Sequence, residues 1–256
     1  MHVAICGPVI SKNFYTAERV MHIMECAENY LKGFCRSVKM RPTSSLFSQE
    51  PTDLLEYVLE HRGYTRNSEL SAVCTLEAGK DPLENCEKTC RSVFRKSQNF
   101  YLEYREMTDA ELPEFYRHLN NLESKFGTKP VHTLEELLDL RHNRIADEVK
   151  FRALWMRDAD HANREKFVAG MMLFDFKQTN VRHAQYIAPN EEIREFQPTT
   201  AMYINVMREA AQDGISKFSW GTSNGMAGGA LNLPLFKFKE SLGAKPSLNL
   251  IYCKEF

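Results

Sequence analysis

The sequence predicts an α/β (α+β) protein in which a mixed β-sheet is flanked by helices. Short apolar runs alternate with longer segments of helical period along the 256 residues, which is typical of this class. The order strand–helix–strand–helix–strand occurs twice, at an offset of about 180 residues. The composition is 43% hydrophobic and 26% charged, as expected for a globular protein with a sizeable core.

The first 100 residues contain three predicted strands and three predicted helices. The first helix has Val20, Ile23 and Met24 on one face and ends before Gly33. The second helix stops at Gly63 for the same reason. The strands are predicted over 3–6, 34–40 and 70–76, and the helices over 16–31, 51–61 and 82–100.

The rest of the chain continues the alternation. Thr133-x-x-Glu136 is a capping box that opens one helix, and Thr199 or Thr200 caps another, which Gly214 closes. Helices are predicted over 108–127, 133–141, 199–213 and 231–242; strands over 101–105, 151–156, 167–176, 181–188, 215–220 and 247–253; and hairpin turns over 158–163 and 178–180.

Charge, hydropathy and cysteine usage exclude several classes. The formal net charge of −1 is not that of a polycation that binds nucleic acid with its whole surface. No apolar run approaches the roughly 20 residues of a membrane span, and residues 1–10 are predicted to contain a strand and no signal peptide. The seven cysteines are odd in number and contain no Cys-x-x-Cys, so we expect reduced thiols, a cytoplasmic location and no metal site.

Two segments that match each other indicate an internal duplication. Residues 54–76 and 235–253 each form a helix closed by glycine, a turn and an apolar strand that leads to Cys74 or Cys253. The two closing glycines, Gly63 and Gly243, are 180 residues apart. The first copy lacks a front half, so we predict a partial domain over 1–80 and a complete one over 81–256.

Most of the chain, roughly residues 50–256, resembles a known family of transferases, and the resemblance is most specific after Phe167. From residue 101 onward the order is strand, helix, helix, three strands, helix, strand, helix, strand. Five segments add detail: 167–173 (Phe-Val-Ala-Gly-Met-Met-Leu), 183–188 (His-Ala-Gln-Tyr-Ile-Ala), 210–223 (Ala-x3-Gly-x3-Phe-x2-Gly-x-Ser), 238–244 (Phe-Lys-x2-Leu-Gly-Ala) and the basic 91–96 (Arg-x3-Arg-Lys). This set resembles the GNAT (N-acetyltransferase) fold, and in detail the FemAB-like acyl- or aminoacyl-transferases, which carry two GNAT-like domains.

The resemblance implies a GNAT-like mixed sheet, with a complete C-terminal GNAT domain and a truncated N-terminal GNAT-like half. It also implies that backbone N–H groups around Phe174, Asp175 and Phe176 face the acyl donor. The helix that begins at Thr199 and Thr200 then points its positive end at a phosphate of the donor; plain capping is the alternative for these threonines.

The donor is implied to be acyl-CoA or aminoacyl-tRNA. The glycine-containing phosphate loop of CoA-dependent members is absent, and residues 194–200 (Arg-Glu-Phe-Gln-Pro-Thr-Thr) stand in its place. The basic helix around residues 91–96 is a candidate contact for tRNA phosphates, or else a solvated face.

The candidate catalytic residues are Tyr186, Lys239 and His183. Lys239 belongs to the Phe-Lys-x-x-apolar-Gly signature and is a candidate to hold a phosphate or to stabilise an oxyanion. Tyr186 is a candidate proton donor or positioning group, and His183 a base near neutral pH. Because they are three residues apart on a strand, we expect them on opposite faces. Structural roles remain the alternative for all three.

Four more residues are candidates for substrate binding, because they lie at a strand end, in a Gly/Ser/Asn loop or beside the signature lysine. They are Trp220, Ser223, Asn224 and Lys237.

The function predicted from the resemblance is acyl or aminoacyl transfer to an amine of a cell-envelope or sugar-linked precursor. Two alternatives remain open: an acyl-CoA-dependent acetyltransferase that acts on a small-molecule amine, and a GNAT-fold binding protein without activity. The sequence does not specify an oligomeric state.

Overall fold

The computed structural model describes residues 7–157, 165–224 and 229–256. The predicted strand 3–6 and turn 158–163 lie outside the described residues. The chain divides into two compact units: the first contains residues 72–221 and 233–245, and the second contains the remaining described residues. Each unit is assembled from separate stretches of sequence, and the predicted boundary between residues 80 and 81 stays a prediction.

The described part of the chain alternates helices with strands. The helices are α1 (Ala17–Leu31), α2 (Asp53–His61), α3 (Lys88–Ser97), α4 (Leu112–Ser124), α5 (Leu134–Asp139), α6 (Pro198–Gln212) and α7 (Leu233–Ser241). The strands are β1 (Ser37–Met40), β2 (Thr65–Thr75), β3 (Leu102–Glu106), β4 (Val149–Arg157), β5 (Glu165–Phe176), β6 (Val181–Pro189), β7 (Lys217–Thr222) and β8 (Lys245–Glu255). None of the described helices is both long enough and apolar enough to cross a membrane.

Most predicted elements are confirmed, with their ends displaced by a few residues. The main exception is the helix predicted over 82–100, which divides into a 3₁₀ turn, Pro82–Asn85, and α3. Cys86 and Glu87 between them have extended backbone angles, so the helical hydrogen-bond ladder stops there. Pro82 opens the turn at the position where a missing N–H removes no helical hydrogen bond.

The first unit is built on a mixed sheet. Its strands follow the order β7-β6-β5-β4-β3. The pairs β3/β4, β4/β5 and β5/β6 are antiparallel, whereas β6 and β7 are parallel. The parallel pair is connected by α6, as parallel strands require a crossover. The mixed sheet with flanking helices confirms the predicted fold class.

A hydrophobic cluster joins α4 and α5 to the sheet of the first unit. Phe115 of α4, Leu137 of α5, Phe151 of β4 and Tyr186 of β6 are all buried in it. Gly170 of β5 lies directly under α4, and a Cβ atom built there would come within 2.6 Å of the Phe115 ring. The strand therefore needs glycine at this position, because the helix packs so closely on it.

A buried arginine joins β5, β6 and α6. The guanidinium of Arg182 donates two hydrogen bonds to Asp175, of 2.6 and 2.8 Å, and one of 2.7 Å to Asp213 just after α6. It also lies 3.3 Å from Glu209 of α6. Arg182 has no exposed surface, so these carboxylates supply the partners that a buried cation requires.

The second unit has its own apolar core. β1 pairs with β8 in antiparallel register, and Val20 and Met24 of α1 pack with Leu55 and Leu59 of α2. A buried carboxylate also joins its elements: Glu28 of α1 accepts hydrogen bonds from Arg62, at 2.7 and 2.9 Å, and from Lys254 of β8, at 2.9 Å.

We predict that Arg182→Met lowers the free energy of unfolding by about 3–5 kcal/mol, because it leaves the buried Asp175 without its cation. Urea denaturation followed by circular dichroism measures this change. The matched control is Arg117→Met on α4, whose half-exposed pair with Glu114 contributes about 0–1 kcal/mol. Equal losses in the two variants would contradict the structural role assigned to Arg182.

Candidate active site

The parallel strands β6 and β7 separate part-way along their length. They pair from Val181 opposite Lys217 to His183 opposite Ser219, where the register ends. β6 continues to Pro189 and β7 to Thr222. Beyond this point the two strands no longer pair with each other, and we call the gap between their facing edges the cleft.

A β-bulge in β6 lies at the start of this separation. Met172 of β5 is opposite Tyr186, but the next residue, Leu173, is opposite Ala184, so Gln185 is an extra residue. Such a bulge bends a strand and increases its twist. The extra residue therefore explains why β6 departs from β7.

The bulge also corrects the predicted arrangement of His183 and Tyr186. Cross-strand partners share a face, and Phe174 and Met172, which are two residues apart on β5, are the partners of His183 and Tyr186. His183 and Tyr186 therefore lie on the same face. The prediction of opposite faces is wrong, because the unpaired Gln185 adds one position to the strand between them and so places both side chains on one face.

Lys239 of α7 occupies the point where the strands separate. Its Nζ donates hydrogen bonds to the carbonyl oxygens of Trp220, at 3.1 Å, and Gly221, at 3.0 Å, which directly follow the last paired residue of β7. Only 3% of the lysine is exposed. Burial lowers the pKa of Lys239 from 10.5 to about 7, so the ammonium is a poorly hydrated charge inside the fold.

His183 lies beside this lysine but does not suit the role of a base. Its Nδ1 is 3.0 Å from Oγ of Ser219, the residue opposite it on β7. Burial, and to a smaller extent the charge of Lys239, lowers the pKa of His183 to about 4. The prediction of a base near neutral pH is therefore wrong, because a group of such low pKa binds a proton weakly at pH 7.

Tyr186 lies on β6 just past the bulge, where β6 no longer pairs with β7. Its hydroxyl is 2.8 Å from Nδ1 of His132, in the segment between α4 and α5. The two rings meet edge to face, with centroids 5.8 Å apart. Burial raises the pKa of the Tyr186 hydroxyl. The catalytic roles predicted for Tyr186 and Lys239 stay predictions, but both residues lie along the separated edges.

The structure corrects the position predicted for the donor-facing backbone. Phe174, Asp175 and Phe176 lie in β5, and each is paired with a residue of β6. The N–H of Asp175 also donates to the carbonyl of Glu148 on the other side, at 2.7 Å. The strands separate between β6 and β7, so the predicted donor contact at these three residues is wrong in position.

The predicted threonine caps are also corrected. α6 begins at Pro198, and its N-cap residue is Gln197, which has the left-handed angle φ = 50° and makes no capping side-chain hydrogen bond. Thr199 and Thr200 therefore lie inside the first turn, and Thr200 is buried. A phosphate contact by either threonine stays a prediction.

Two of the predicted substrate-binding residues have structural partners. Trp220 is buried, stacks on Tyr203 with centroids 3.9 Å apart, and donates its Nε1–H to Sγ of Cys74. Asn224 accepts from the N–H of Leu70 at 2.7 Å. Both side chains already have partners inside the fold, and substrate binding by Trp220 stays a prediction.

The remaining two candidates differ in exposure. Ser223 is fully buried, and its Oγ has no hydrogen-bond partner among the described residues. Lys237 is exposed on α7. It stands two positions before Lys239, which is more than half a helical turn, so the two lysines point to nearly opposite sides of the helix. Substrate binding by Ser223, Asn224 or Lys237 stays a prediction.

Two features of the site were not predicted from the sequence. The bulge at Gln185 leaves no signal, since glutamine is an ordinary residue on a strand. His132 stands directly before the capping box at Thr133, which fixes the start of α5. This proximity to a recognisable helix start is the one sequence signal that could have drawn attention to His132. Within the described ranges, no cluster of His, Cys, Asp and Glu is arranged to hold a metal ion.

Solved structures with the same arrangement decide the fold. The structure titled FemX superimposes with a TM-score of 0.70 at 11% identity, over 96% of this chain and 78% of that one. This chain has the FemAB-like GNAT fold. No family model and no curated protein sequence matches it.

Two further structures share the FemAB-like GNAT fold. The C-terminal domain of a putative lysylphosphatidylglycerol synthetase from Agrobacterium fabrum gives a TM-score of 0.60 at 11% identity, over 96% of this chain and 75% of that one. L-PGS from Bacillus licheniformis gives 0.56 at 12% identity, over 92% and 72%. All three structures thus share their fold with most of this chain.

We predict that wild-type stability rises more steeply with pH than that of Lys239→Met. Because the folded pKa of about 7 is below the unfolded value, the unfolded chain binds more protons between pH 7 and 10, so stability increases with pH in that window. The difference between the two unfolding free energies should change by about 2 kcal/mol from pH 7 to 9. Urea titrations at several pH values measure it, and parallel pH curves would contradict burial of an ionisable Lys239.

Proposed function

We propose that this chain is an acyl- or aminoacyl-transferase that joins an acyl group to an amine, with Lys239 as the charge that stabilises the reacting carbonyl. The observation that carries the proposal is the buried Lys239 Nζ at the separation of β6 and β7, held by the carbonyls of Trp220 and Gly221. The fold supports it, because the FemAB-like GNAT fold is one that acyl transfer uses.

The chemistry follows from the position of the charge. Attack of an amine on an acyl carbonyl places negative charge on the carbonyl oxygen. An ammonium that is already desolvated and oriented stabilises that charge without reorganising solvent. The protonated form of Lys239 is the active form in this role, and its pKa of about 7 places the loss of that form in the neutral range.

We further propose aminoacyl-tRNA as the donor, in preference to acyl-CoA. At the start of α6, Pro198 has no N–H and Gln197 replaces the glycine that lets a backbone approach a pyrophosphate. One structural neighbour is named a putative lysylphosphatidylglycerol synthetase, which supports an aminoacyl donor. The alternative, acyl-CoA as donor with a small-molecule amine as acceptor, is tested beside it in the experiment below.

The basic helix α3 supports a tRNA contact. Arg95 and Lys96 are exposed on it, and no acidic side chain occurs in the helix. Arg91 instead donates to the carbonyl of Cys86 at 2.7 Å, so it stabilises the turn before the helix.

The acyl acceptor that we propose is the amine of a cell-envelope or sugar-linked precursor.

The donor is tested with tRNA charged with radiolabelled amino acids and, separately, with acetyl-CoA. Each is offered with a panel of amines that includes lysine-containing peptides and amino sugars. Amide formation from charged tRNA supports the proposal. Micromolar binding of acetyl-CoA by calorimetry, together with its turnover, would replace the donor assignment, and the absence of transfer with both donors would leave a binding protein.

We predict that Lys239→Met lowers kcat/KM at least 100-fold, the usual cost of removing one oxyanion-stabilising group. The matched control is Lys217→Met, which removes an exposed lysine at the start of β7 and should change kcat/KM less than twofold. Thermal melting of both variants verifies that they fold. Equal activity of Lys239→Met and wild type would remove this lysine from the mechanism.

A further inference from the structure

Tyr186 and His132 form a connected pair that the function proposed above does not use. Tyr186 is buried, whereas His132 is partly exposed. Its Nδ1 is 2.8 Å from the tyrosine hydroxyl, and among the described residues its Nε2 has no hydrogen-bond partner. The pair therefore links a hydroxyl inside the fold to the surface by way of one imidazole ring.

The bulge places this hydroxyl at the edge of the cleft. If Gln185 were paired regularly and β6 had no bulge, Tyr186 would project from the face of β6 opposite to His183. With it, the tyrosine lies on the same face as His183, on the stretch of β6 that β7 no longer covers. The bulge therefore has two effects: β6 departs from β7, and the Tyr186 side chain lies on the same face as His183.

The surroundings of the hydroxyl suit a group that passes a proton on. Burial raises the pKa of Tyr186, while the side chain of Gln185 and the backbone N–H groups of His132 and Val131 oppose that change. The charged group that faces the hydroxyl is Glu123 of α4, which accepts a hydrogen bond of 2.6 Å from Thr128. Donors therefore surround an oxygen that would carry transient negative charge, and the imidazole is its acceptor.

We propose that Tyr186 and His132 form a relay that removes the proton from the acceptor amine during acyl transfer. The inference rests on the proposed function. As the amine nitrogen bonds to the acyl carbon, its N–H proton passes to Oη of Tyr186, and the tyrosine proton passes to Nδ1 of His132. The imidazolium releases its Nε2 proton to water. The bond from the acyl carbon to the donor oxygen breaks, and that oxygen takes a proton from water.

The relay requires His132 in one tautomer. Nδ1 must accept from the tyrosine hydroxyl and Nε2 must carry the proton, because only this arrangement leaves a base facing Tyr186 and a donor facing solvent. The role of Tyr186 is then that of a group in contact with the amine. His132 acts through it and is a positioning and proton-accepting residue.

His132→Asn is the variant that separates the relay from a packing role. The asparagine oxygen takes the place of Nδ1 and keeps the hydrogen bond to Tyr186, but an amide does not accept a proton at neutral pH. We expect kcat to fall about 100-fold, with KM for the donor unchanged, since general base catalysis contributes about 10²–10⁴-fold. The matched control is His142→Asn, which removes an exposed histidine paired with Asp109.

A double variant tests whether the two residues act as one unit. Tyr186→Phe should lower kcat to a similar extent, and Tyr186→Phe with His132→Asn should be no slower than the slower single variant, because members of one relay are not additive. Wild-type kcat in His132→Asn, or multiplicative losses in the double variant, would overturn the relay.

A spectroscopic measurement distinguishes failure of the relay from failure of the proposed function. Nitrogen-15 NMR of the imidazole, assigned by its loss in His132→Asn, should show Nε2 protonated and Nδ1 as acceptor, and Tyr186→Phe should change the chemical shift of Nδ1. If the wild type transfers no acyl group but this NMR result holds, the proposed function fails and the hydrogen-bonded pair is still supported. A proton on Nδ1, or an Nδ1 chemical shift that Tyr186→Phe leaves unchanged, overturns the relay whatever the activity.

Discussion

The separation of β6 from β7 is the constraint on which the rest of the candidate site depends. A parallel pair that remained closed would engage one of the carbonyls of Trp220 and Gly221 with an N–H group of β6, since successive carbonyls of a strand point to opposite sides. Because the strands part after His183 and Ser219, those carbonyls take Nζ of Lys239. One irregularity of the backbone thus creates both the cleft and the environment of its cation.

The buried ion pairs hold the sheet in this open form. Arg182 stands one residue before His183 and joins the end of β5 to α6 through Asp175, Glu209 and Asp213. The paired part of β6 is therefore anchored on the side of α6, immediately before the strand bends away.

Two buried ionisable residues of the cleft have opposite chemical consequences, although burial lowers the pKa of both. His183 is held near pKa 4 and is neutral across the physiological range, so it serves as a hydrogen-bond partner of Ser219. Lys239 is held near pKa 7, so it remains sensitive to pH where the protein works. The difference in ordinary pKa between imidazole and ammonium decides which residue keeps a usable charge.

The sequence by itself determined the alternation of elements, the fold class and the position of the signature lysine, because hydrophobic period, capping residues and glycine stops act locally. It did not determine where the strands open. The resemblance led to Phe174–Phe176, and the strict two-residue period of a strand put His183 and Tyr186 on opposite faces, since neither accounts for an inserted residue. Only the tertiary structure showed that Gln185 is that residue and that Trp220 is buried under Tyr203. Register, burial and the meeting of Tyr186 with His132, 54 positions away in the sequence, are decided by contacts between distant segments, which no local pattern contains.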